Sequence, residues 1–592
     1  MKTFFVTSLL CFFSVAVAQK YDHNWIHIYP SQDTTGNSPL DPPYPSEFLT
    51  FDASPPTINY FNGPLPGFRC EMILNDYEGN PLLYSNGYKI YHIDGSIMAN
   101  GDSLLTIILE PGFRLGAYNP LSMMAIPRPG HTGDYYILHQ YYELNWTYIP
   151  KLLLSLVSGA TAPDKGIVAF KNKVLFEGHN VIDYFDITKH ANGRDWWLVF
   201  SDIDVEASTR TFYSYCITAD TIYQAQTQTF VEYEPVPDHP ALIYTFDKLF
   251  SPNGFFYINH DAFNGTMIHS FDRCTGELSH PVNLPFHVGL QGGSGYPAVS
   301  PNSQFLYTAN GDYIFQYDLT AQDIEATKDT VGVYDGYLDP PAGIPTLFGY
   351  PKLGPDGKIY YFITGQDWVH IIAEPNKKGA ACHFIQRAFR MPVRAGAYPF
   401  YPNYRLGPLD GSSCDTLGIN NEPLADFWWF SDSTLQVRFS DNSFYEPSLW
   451  QWNFGDGGIS QDTSPVHVFP ASGTYHVCLT VSKQFAANTV CKDVTVGGMV
   501  PVVTPAFEDK ITVSISPNPA KNSIQVQLTG VLSGESQLQI FDVLGKLQYT
   551  TPIQKDKPGI EISTLAFSNG IYYCRLTKDG KVLSSSKFIV QH

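Results

Sequence analysis

The chain runs to 592 residues with 44% hydrophobic, 15% aromatic and only 16% charged residues, and it carries a formal charge of −20. No basic patch or basic helix stands against that charge, which excludes nucleic acids and anionic membranes as partners. The 47 glycines and 44 prolines, set among so many aromatics, predict many short strands joined by many turns: an all-β chain long enough for several domains.

Lys2 precedes an apolar run over residues 4–17 that ends in Ala16-Val17-Ala18. A charge, a short apolar core and a small-x-small exit predict a signal peptide over residues 1–18. The run is too short to span a membrane and no other long apolar stretch follows, so the mature chain is expected to be soluble, with no transmembrane segment. Leu10 stands before Cys11 where lipoprotein processing needs a small residue, which argues against lipidation. Of the 9 cysteines, Cys11 leaves with the leader and the rest enter an oxidising compartment. Cys70, Cys216, Cys274, Cys382 and Cys414 form an odd set and Cys574 stands alone, so free, buried thiols are expected.

From about residue 70 to about 395 a unit recurs every fifty to sixty residues or so, roughly the period of propeller blades. The turns Ser251-Pro-Asn-Gly, Ser300-Pro-Asn-Ser and Gly354-Pro-Asp-Gly each feed an aromatic strand, and a second strand follows at residues 266–272, 313–318 and 368–372. Weaker copies begin at Gly79, Gly133 and His190. A seventh unit is expected to join a strand from residues 45–65 to the last strands near 380–395. Closure into a ring is favoured over a β-sandwich or a β-helix, because each sheet can bury its faces only against its neighbours. Residues 19–400 are therefore expected to form a β-propeller of six or seven blades, and residues 401–425 a linker.

Next, Leu435, Val437 and Phe439 alternate, as do Trp450, Trp452 and Phe454, and Tyr475, Val477, Leu479 and Val481. These are the inward positions of a β-sandwich. Cys478 and Cys491 have the opposite parity to that core and flank one hairpin loop, so a disulfide between them is expected. A second bridge, Cys382 to Cys414, is expected from closeness in sequence and compartment alone. The blocks Trp452-Asn-Phe454-Gly455-Asp456-Gly457, Ser464-Pro-Val-His467-Val-Phe and Gly473-Thr-Tyr475 resemble the PKD (polycystic kidney disease) domain, an immunoglobulin-like fold, here over residues 426–498. Gly455 and Gly457 supply a tight turn whose backbone Asp456 can bond, a role favoured over calcium binding. The resemblance implies a spacer, an adhesion unit or a binder of carbohydrate or protein.

A proline-containing linker over residues 499–511 leads to residues 512–592. There Ile524, Val526 and Leu528 alternate with Gln525 and Gln527, and Asp579-Gly580 suits a tight hairpin, which together predict a small C-terminal β-sandwich. Three blocks stand out, Ile515-Ser-Pro517-Asn518-Pro519-Ala, Leu538 through Gly545-Lys546, and Asn569-Gly570-Ile-Tyr572, and they run on to Lys587-Phe-Ile-Val. They resemble the type A C-terminal sorting domain of type IX secretion, the outer-membrane export route of Bacteroidetes. The resemblance implies passage through the periplasm to the cell surface or the medium, with the type IX machinery as a partner. The propeller stretch likewise resembles the N-terminal regions of such exported proteins.

Motifs of catalysis mostly fail. Gly101-Asp-Ser103-Leu104 spells the nucleophile block of the GDSL hydrolases, but it sits between strands with no helical pattern around it. Asp202, Asp204 and Glu206 fall short of a calcium loop and read as a solvated turn. His139, His190, His260 and His269 lie in or beside strands with no nucleophile to serve. Trp196-Trp197 and Trp428-Trp429 could stack on sugars, with one of each pair in the core. No zinc signature or phosphate loop is present, so no catalytic residue, cofactor or metal is assigned. The reading is a non-catalytic binding or adhesion protein that uses the propeller, with the PKD module as spacer and a surface glycan or protein as ligand. The alternative is a secreted hydrolase or lyase that acts on polysaccharide or peptide in the propeller channel.

Overall fold

The computed structural model describes residues 20–27, 46–51, 56–61, 72–85, 87, 89–104, 123–142, 150–161, 166–178, 181–182, 185–204, 209–231, 245–261, 265–285, 296–340, 343–362, 366–391, 401–431, 435–484, 486–497, 512–529, 536–542, 546–553, 559–578 and 581–592. The signal peptide, Cys70, Glu206, the 499–511 linker, Gly545 and the Asp579-Gly580 turn lie outside these residues. The chain divides into two compact units, residues 1–500 and 501–592. Regular structure among the described residues is strand, apart from the short 3-10 turns Glu325–Thr327 and Gly379–Cys382.

Among the described residues the first unit opens with seven antiparallel sheets of three to five strands, each built from consecutive strands, and a small pair, Leu338–Asp339 with Ile344–Pro345, lies before the last of them. Their first described strands begin at Asn24, Met72, Met123, Val181, Thr245, Pro297 and Tyr350. Near neighbours pack through apolar layers. Leu74 and Ile137 join the second sheet to the third, Leu154 and Phe200 the third to the fourth, and Phe212 and Tyr257 the fourth to the fifth. Ile258 and Leu306 continue to the sixth, and Tyr307 and Tyr361 to the seventh. The ring closes where Trp25, Leu49 and Phe51 of the first sheet pack on Tyr360, Phe362 and Phe389 of the seventh. Between the first and second sheets, Asn24 Nδ2 donates to Asn75 Oδ1 at 2.8 Å. This is a β-propeller, and the packing explains why Trp196 and Trp197 are both buried. A blade has a neighbour on each face, so both parities of its strands are core, which corrects the expectation that one tryptophan of the pair would face solvent.

The seventh blade differs from its expected make-up. Asn24–His27, Ser46–Thr50 and Thr57–Phe61 pair only with one another, and Phe384–Arg390 is the outer strand of the Tyr350–Leu353 sheet. Closure thus comes from face-to-face packing of a complete N-terminal sheet, not from a shared blade.

Of residues 401–425, expected as a linker, the stretch 401–414 is built into the ring and Ala425 belongs to the sandwich core. The Tyr401 hydroxyl donates to the Asn24 carbonyl at 3.0 Å, Tyr404 to Ala125 at 2.6 Å, and Asn403 Nδ2 to Pro252 at 2.7 Å. Arg405 forms a two-pronged ion pair with Asp22 at 2.7 and 2.6 Å. Arg273 Nη2 donates to the Gly407 carbonyl at 2.6 Å. Gly193 sits at φ +75°, and a Cβ there would stand 2.5 Å from Pro408 Cδ, so the close crossing of the two chains requires glycine. Cys414 is bonded to Cys274. That corrects the expected Cys382–Cys414 bridge: Cys382 is a buried free thiol, as are Cys216 and Cys574. Sequence proximity misled because the ring brings the 272–277 turn to the crossing segment.

The sandwich that follows pairs Phe427–Ser431, Gln436–Asp441 and Val466–Val468 in one sheet, and Ile459–Ser460, Leu449–Asn453, Gly473–Lys483 and Ala486–Val496 in the other. Phe427, Val437, Phe439, Trp452, Val477 and Leu479 form its core. Cys478 lies directly opposite Cys491 across the last hairpin and is bonded to it, with Cα atoms 4.1 Å apart.

The second unit is a sandwich of Thr512–Ser516, Ser523–Thr529 and Gly559–Ser563 against Leu547–Ile553, Ser536–Asp542, Gly570–Lys578 and Lys581–Val590. Ile524, Val526, Leu538, Ile540, Cys574, Leu576 and Phe588 fill it, the alternating residues of the sequence pattern.

Candidate functional site

The Ser-Pro-Asn repeats position one end of the ring. In each, the serine hydroxyl and the asparagine Oδ1 tie the turn: Ser251 Oγ donates to Asn253 Oδ1 at 2.7 Å and Ser300 Oγ to Asn302 Oδ1 at 2.6 Å. The same oxygens then accept backbone N–H groups, Phe256 on Ser251 at 3.0 Å and Phe305 on Ser300 at 2.8 Å. Adjacent turns are linked, since Asn253 N donates to Ser303 Oγ at 2.9 Å and Asn302 N to Asn376 Oδ1 at 3.0 Å.

The PKD sandwich lies against this end. Asn442 Nδ2 reaches the Pro355 carbonyl at 3.4 Å, Trp428 stands 5.3 Å from Lys358 Nζ, and Arg405 stands 5.6 Å from the Phe444 ring. Trp428 and Trp429 are both buried, one against the propeller and the other in the sandwich core. Between the turns, the crossing segment and the sandwich lies a cavity of about 790 Å³. Its wall carries the Pro-Asn dipeptides 252–253, 301–302 and 402–403, together with Asn376, Asn421 and Asn442. The inner-strand residues Asp186, Lys248 and Val299 line it from the ring, and Phe444, Tyr445 and Trp450 from the sandwich. Burial raises the Asp441 carboxyl in this wall, although Ser443 opposes the shift.

The residues singled out in the sequence are placed as follows. Ser103 is exposed at φ +52°, beside an Asp102–Lys171 ion pair of 3.0 Å, and no histidine is bonded to it among the described residues. Asp202 is buried, not a solvated turn, because a neighbouring strand pairs alongside it at Ile182. His139, His260 and His269 are buried in the blades, and His190 Nδ1 accepts Asn192 N at 3.0 Å in a turn. Burial pushes the Cys216 and Cys382 thiols up to about 11 and Cys574 to about 12, which leaves them un-ionised and inert at neutral pH.

In the PKD motif, Trp452 is buried and donates through Nε1 to the Asp462 carbonyl at 2.9 Å. Phe454 stacks on His467 at 4.0 Å. Asp456 accepts Gly458 N at 2.8 Å and faces His467 Nε2 at 2.7 Å. Although burial pushes its carboxyl up, His467 and the turn backbone hold it below the ordinary value. Gly455 and Gly457 take φ +78° and +96° in that turn. Gly473 starts the strand in which Tyr475 donates to the Ala471 carbonyl at 2.9 Å. His476 lies with Cys478 and Cys491 in a possible metal-ligand trio, but the two sulfurs are bonded to each other and His476 is paired with Asp493 at 2.9 Å, so this donor set does not fit a metal.

In the C-terminal sandwich, the Pro517-Asn518-Pro519 block clamps the last strand. Asn518 Oδ1 accepts Ile589 N at 2.9 Å and its Nδ2 reaches the Lys587 carbonyl at 3.4 Å. Lys546 N donates to Asp542 Oδ1 at 3.0 Å. Gly570 opens the strand in which the Tyr572 hydroxyl bonds Ser568 O at 2.9 Å. Blocks separate in sequence therefore meet at one end of this unit.

A propeller joined to an immunoglobulin-like sandwich, with a separate C-terminal sandwich, defines an all-β multidomain protein. The family described as "PKD domain" matches residues 430–497, and that described as "Secretion system C-terminal sorting domain" matches residues 514–591. Among solved structures, the PKD1 domain of Vibrio anguillarum Epp is 30% identical with a TM-score of 0.13, covering 13% of this chain and 96% of its own. The PKD1 domain of the Vibrio cholerae metalloprotease PrtV is 25% identical, with a TM-score of 0.13 and coverages of 13% and 99%. A protein from Lactobacillus plantarum is 13% identical, with a TM-score of 0.38, covering 64% of this chain and 98% of its own. No curated protein matches the chain. The chain thus belongs to the PKD-domain family over residues 430–497 and ends in a type IX sorting domain, which marks it for export to the cell surface or the medium through the type IX machinery. Among the described residues no helix is long and apolar enough to cross a membrane.

The sequence marked Asn253 and Asn302 only as residues of the repeated turns, and singled out no asparagine as part of a site. A signal for the cavity asparagines exists: the dipeptide Pro-Asn recurs at 252–253, 301–302, 375–376 and 402–403, and all four asparagines line the cavity.

Proposed function

We propose that this is an exported, non-catalytic binding or adhesion protein that holds its ligand at the end of the propeller carrying the PKD module. The observation that supports it is the composite cavity: about 790 Å³, within the range of roughly 300–1,000 Å³ common for ligand sites, and walled by amides and aromatic rings from two modules. The PKD sandwich then acts as one wall of the site and not as a spacer. One observation favours the alternative of a hydrolase or lyase: Asp441, with its carboxyl pushed up by burial, lines the same cavity, and an upward shift is the direction that suits a carboxyl to general acid–base work. The full-length chain, offered panels of polysaccharides, esters and peptides, should show no turnover yet retain a surface or glycan ligand. Saturable turnover that is abolished in Asp441→Asn would replace the binding reading with the enzymatic one.

A further inference from the structure

We propose that this cavity recognises a neutral oligosaccharide. The inference rests on the binding reading above and adds the chemical class and the contacting atoms.

Most of the charged groups in the wall are already engaged within the protein, and Glu446, 94% exposed and 3.9 Å from Lys483 Nζ, is the loosest of them. Arg405 and Asp22 hold each other, and Arg273 donates to the Lys189 and Gly407 carbonyls at 2.9 and 2.6 Å. Asp186 accepts Phe250 N at 2.6 Å and its neighbour Ile187 N at 2.7 Å. Lys483 Nζ donates to the Tyr445 carbonyl at 3.1 Å. An ionic ligand would have to break these contacts in a partly desolvated place, and that costs more than the new pair returns.

Neutral amide groups of the turns stand open in the same wall. Asn253 spends its Oδ1 on Ser251 and Phe255 N, and Asn376 spends its Oδ1 on Asn302 N. Their Nδ2 groups have no partner among the described residues. Each turn therefore fixes one end of an amide and presents the other as a preorganised donor. Phe255, which is 39% exposed, and Trp450 add ring surface to the same wall. Fixed neutral donors beside aromatic rings suit the hydroxyls and C–H faces of sugars. A peptide would instead be read by a free strand edge with side-chain pockets. Here the open amide donors sit on turns, beside inner strands of the ring, and the backbone N–H groups of Phe255, Phe256 and Phe305 are tied up in those turns.

The test uses the full-length chain and two near-isosteric changes, Asn253→Asp and Asn376→Asp. Each keeps the Oδ1 that caps the turn and replaces the open donor with a carboxylate oxygen. Calorimetric titration would compare short neutral gluco-, manno- and xylo-oligosaccharides with uronate oligosaccharides and uncharged peptides. Neutral sugars should bind, and each substitution should weaken them about tenfold with the thermal midpoint unmoved. Phe255→Ala, an exposed position, should weaken binding as well and serves if an aspartate variant fails to fold. Neutral-sugar binding that all three changes leave untouched would overturn the cavity site but not the binding function. A preference for uronates or peptides would overturn the ligand class. Retention of no ligand of any kind would sink the binding reading itself, and the inference with it.

Discussion

Acidifying the protein from pH 7 to pH 5 should destabilise the propeller through three buried histidines. His139, His260 and His370 are 0%, 2% and 0% exposed, and burial pushes their pKa values from 6.5 down to about 4, about 3 and about 3. In the unfolded chain each takes up a proton as the pH falls through 6.5, whereas in the folded chain none does so until the pH nears 4 or 3. Stability is therefore complete above pH 6.5 and drains away between that value and the folded pKa values. At pH 5 the loss is about 2 kcal/mol per histidine and about 6 kcal/mol for the three together, against about 5–15 kcal/mol for the whole stability of a typical domain. Carboxylates act in a lower window. Burial pushes Asp426 up, but Lys492 and Asn442 hold it below 3.8, so its contribution persists until the pH falls under that value. Urea unfolding followed by tryptophan fluorescence at pH 7, 6 and 5 would measure the slope. Wild type should lose stability at a rate approaching three protons per molecule, and His139→Gln/His260→Gln/His370→Gln should lose it far more slowly, whatever its absolute stability. Equal slopes for the two proteins would refute the reasoning.

Other outcomes follow from single contacts. Replacing Cys478 and Cys491 with alanine should cost the PKD sandwich about 3 kcal/mol, since the bridge closes a short loop of sequence separation 13; calorimetry reads the loss, and mass spectrometry of non-reduced peptides should recover the linked pair. Arg405→Ala strands Asp22 in a largely buried position, so the unfolding transition of the 1–500 unit should fall by about 3–5 kcal/mol, which denaturant titration would detect. Asn518→Ala unclamps the last strand of the sorting domain and should leave protein in the periplasm on cell fractionation, as deletion of residues 512–592 should do completely; normal surface display of either variant would contradict the sorting role.

What the sequence made legible was local. The Ser-Pro-Asn turns could be read because their ties span two to five residues, as in Ser251 to Asn253 and Ser251 to Phe256. Strand parity likewise located the sandwich cores and the facing of Cys478 and Cys491. What could not be read depended on distant partners. Tyr404 bonds Ala125 across 279 positions, Arg405 meets Asp22 across 383, and the Cys274–Cys414 bridge spans 140. No period or composition marks such pairs, so residues 401–425 passed for a linker. The Trp196-Trp197 pair was misread for a related reason: a strand pattern shows which residues share a face, but not that both faces of a propeller blade are covered.

The candidate site lies between these two regimes. Asn253 was legible as a turn residue through its Oδ1, while its Nδ2 acquires a setting only once the crossing segment and the PKD sandwich enclose the same space. A repeat kept for folding thus places identical amides around one opening, and their collective use depends on a second module arriving to form the opposite wall. If so, the ligand site and the docking of the PKD module cannot be separated. Loosening the dock should weaken binding even where no contacting atom is changed. Trp428 stands against Lys358 and close to Gly357, where φ is +76° and a Cβ would come within 3.0 Å of the Trp428 Nε1. Gly357→Ala should therefore push the sandwich off the turn and reduce ligand affinity with Asn253 and Asn376 intact, which the same titration would measure. Unchanged affinity in that variant, alongside protease cleavage newly appearing at the propeller–PKD junction, would show that the propeller turns bind alone and that the second wall is dispensable.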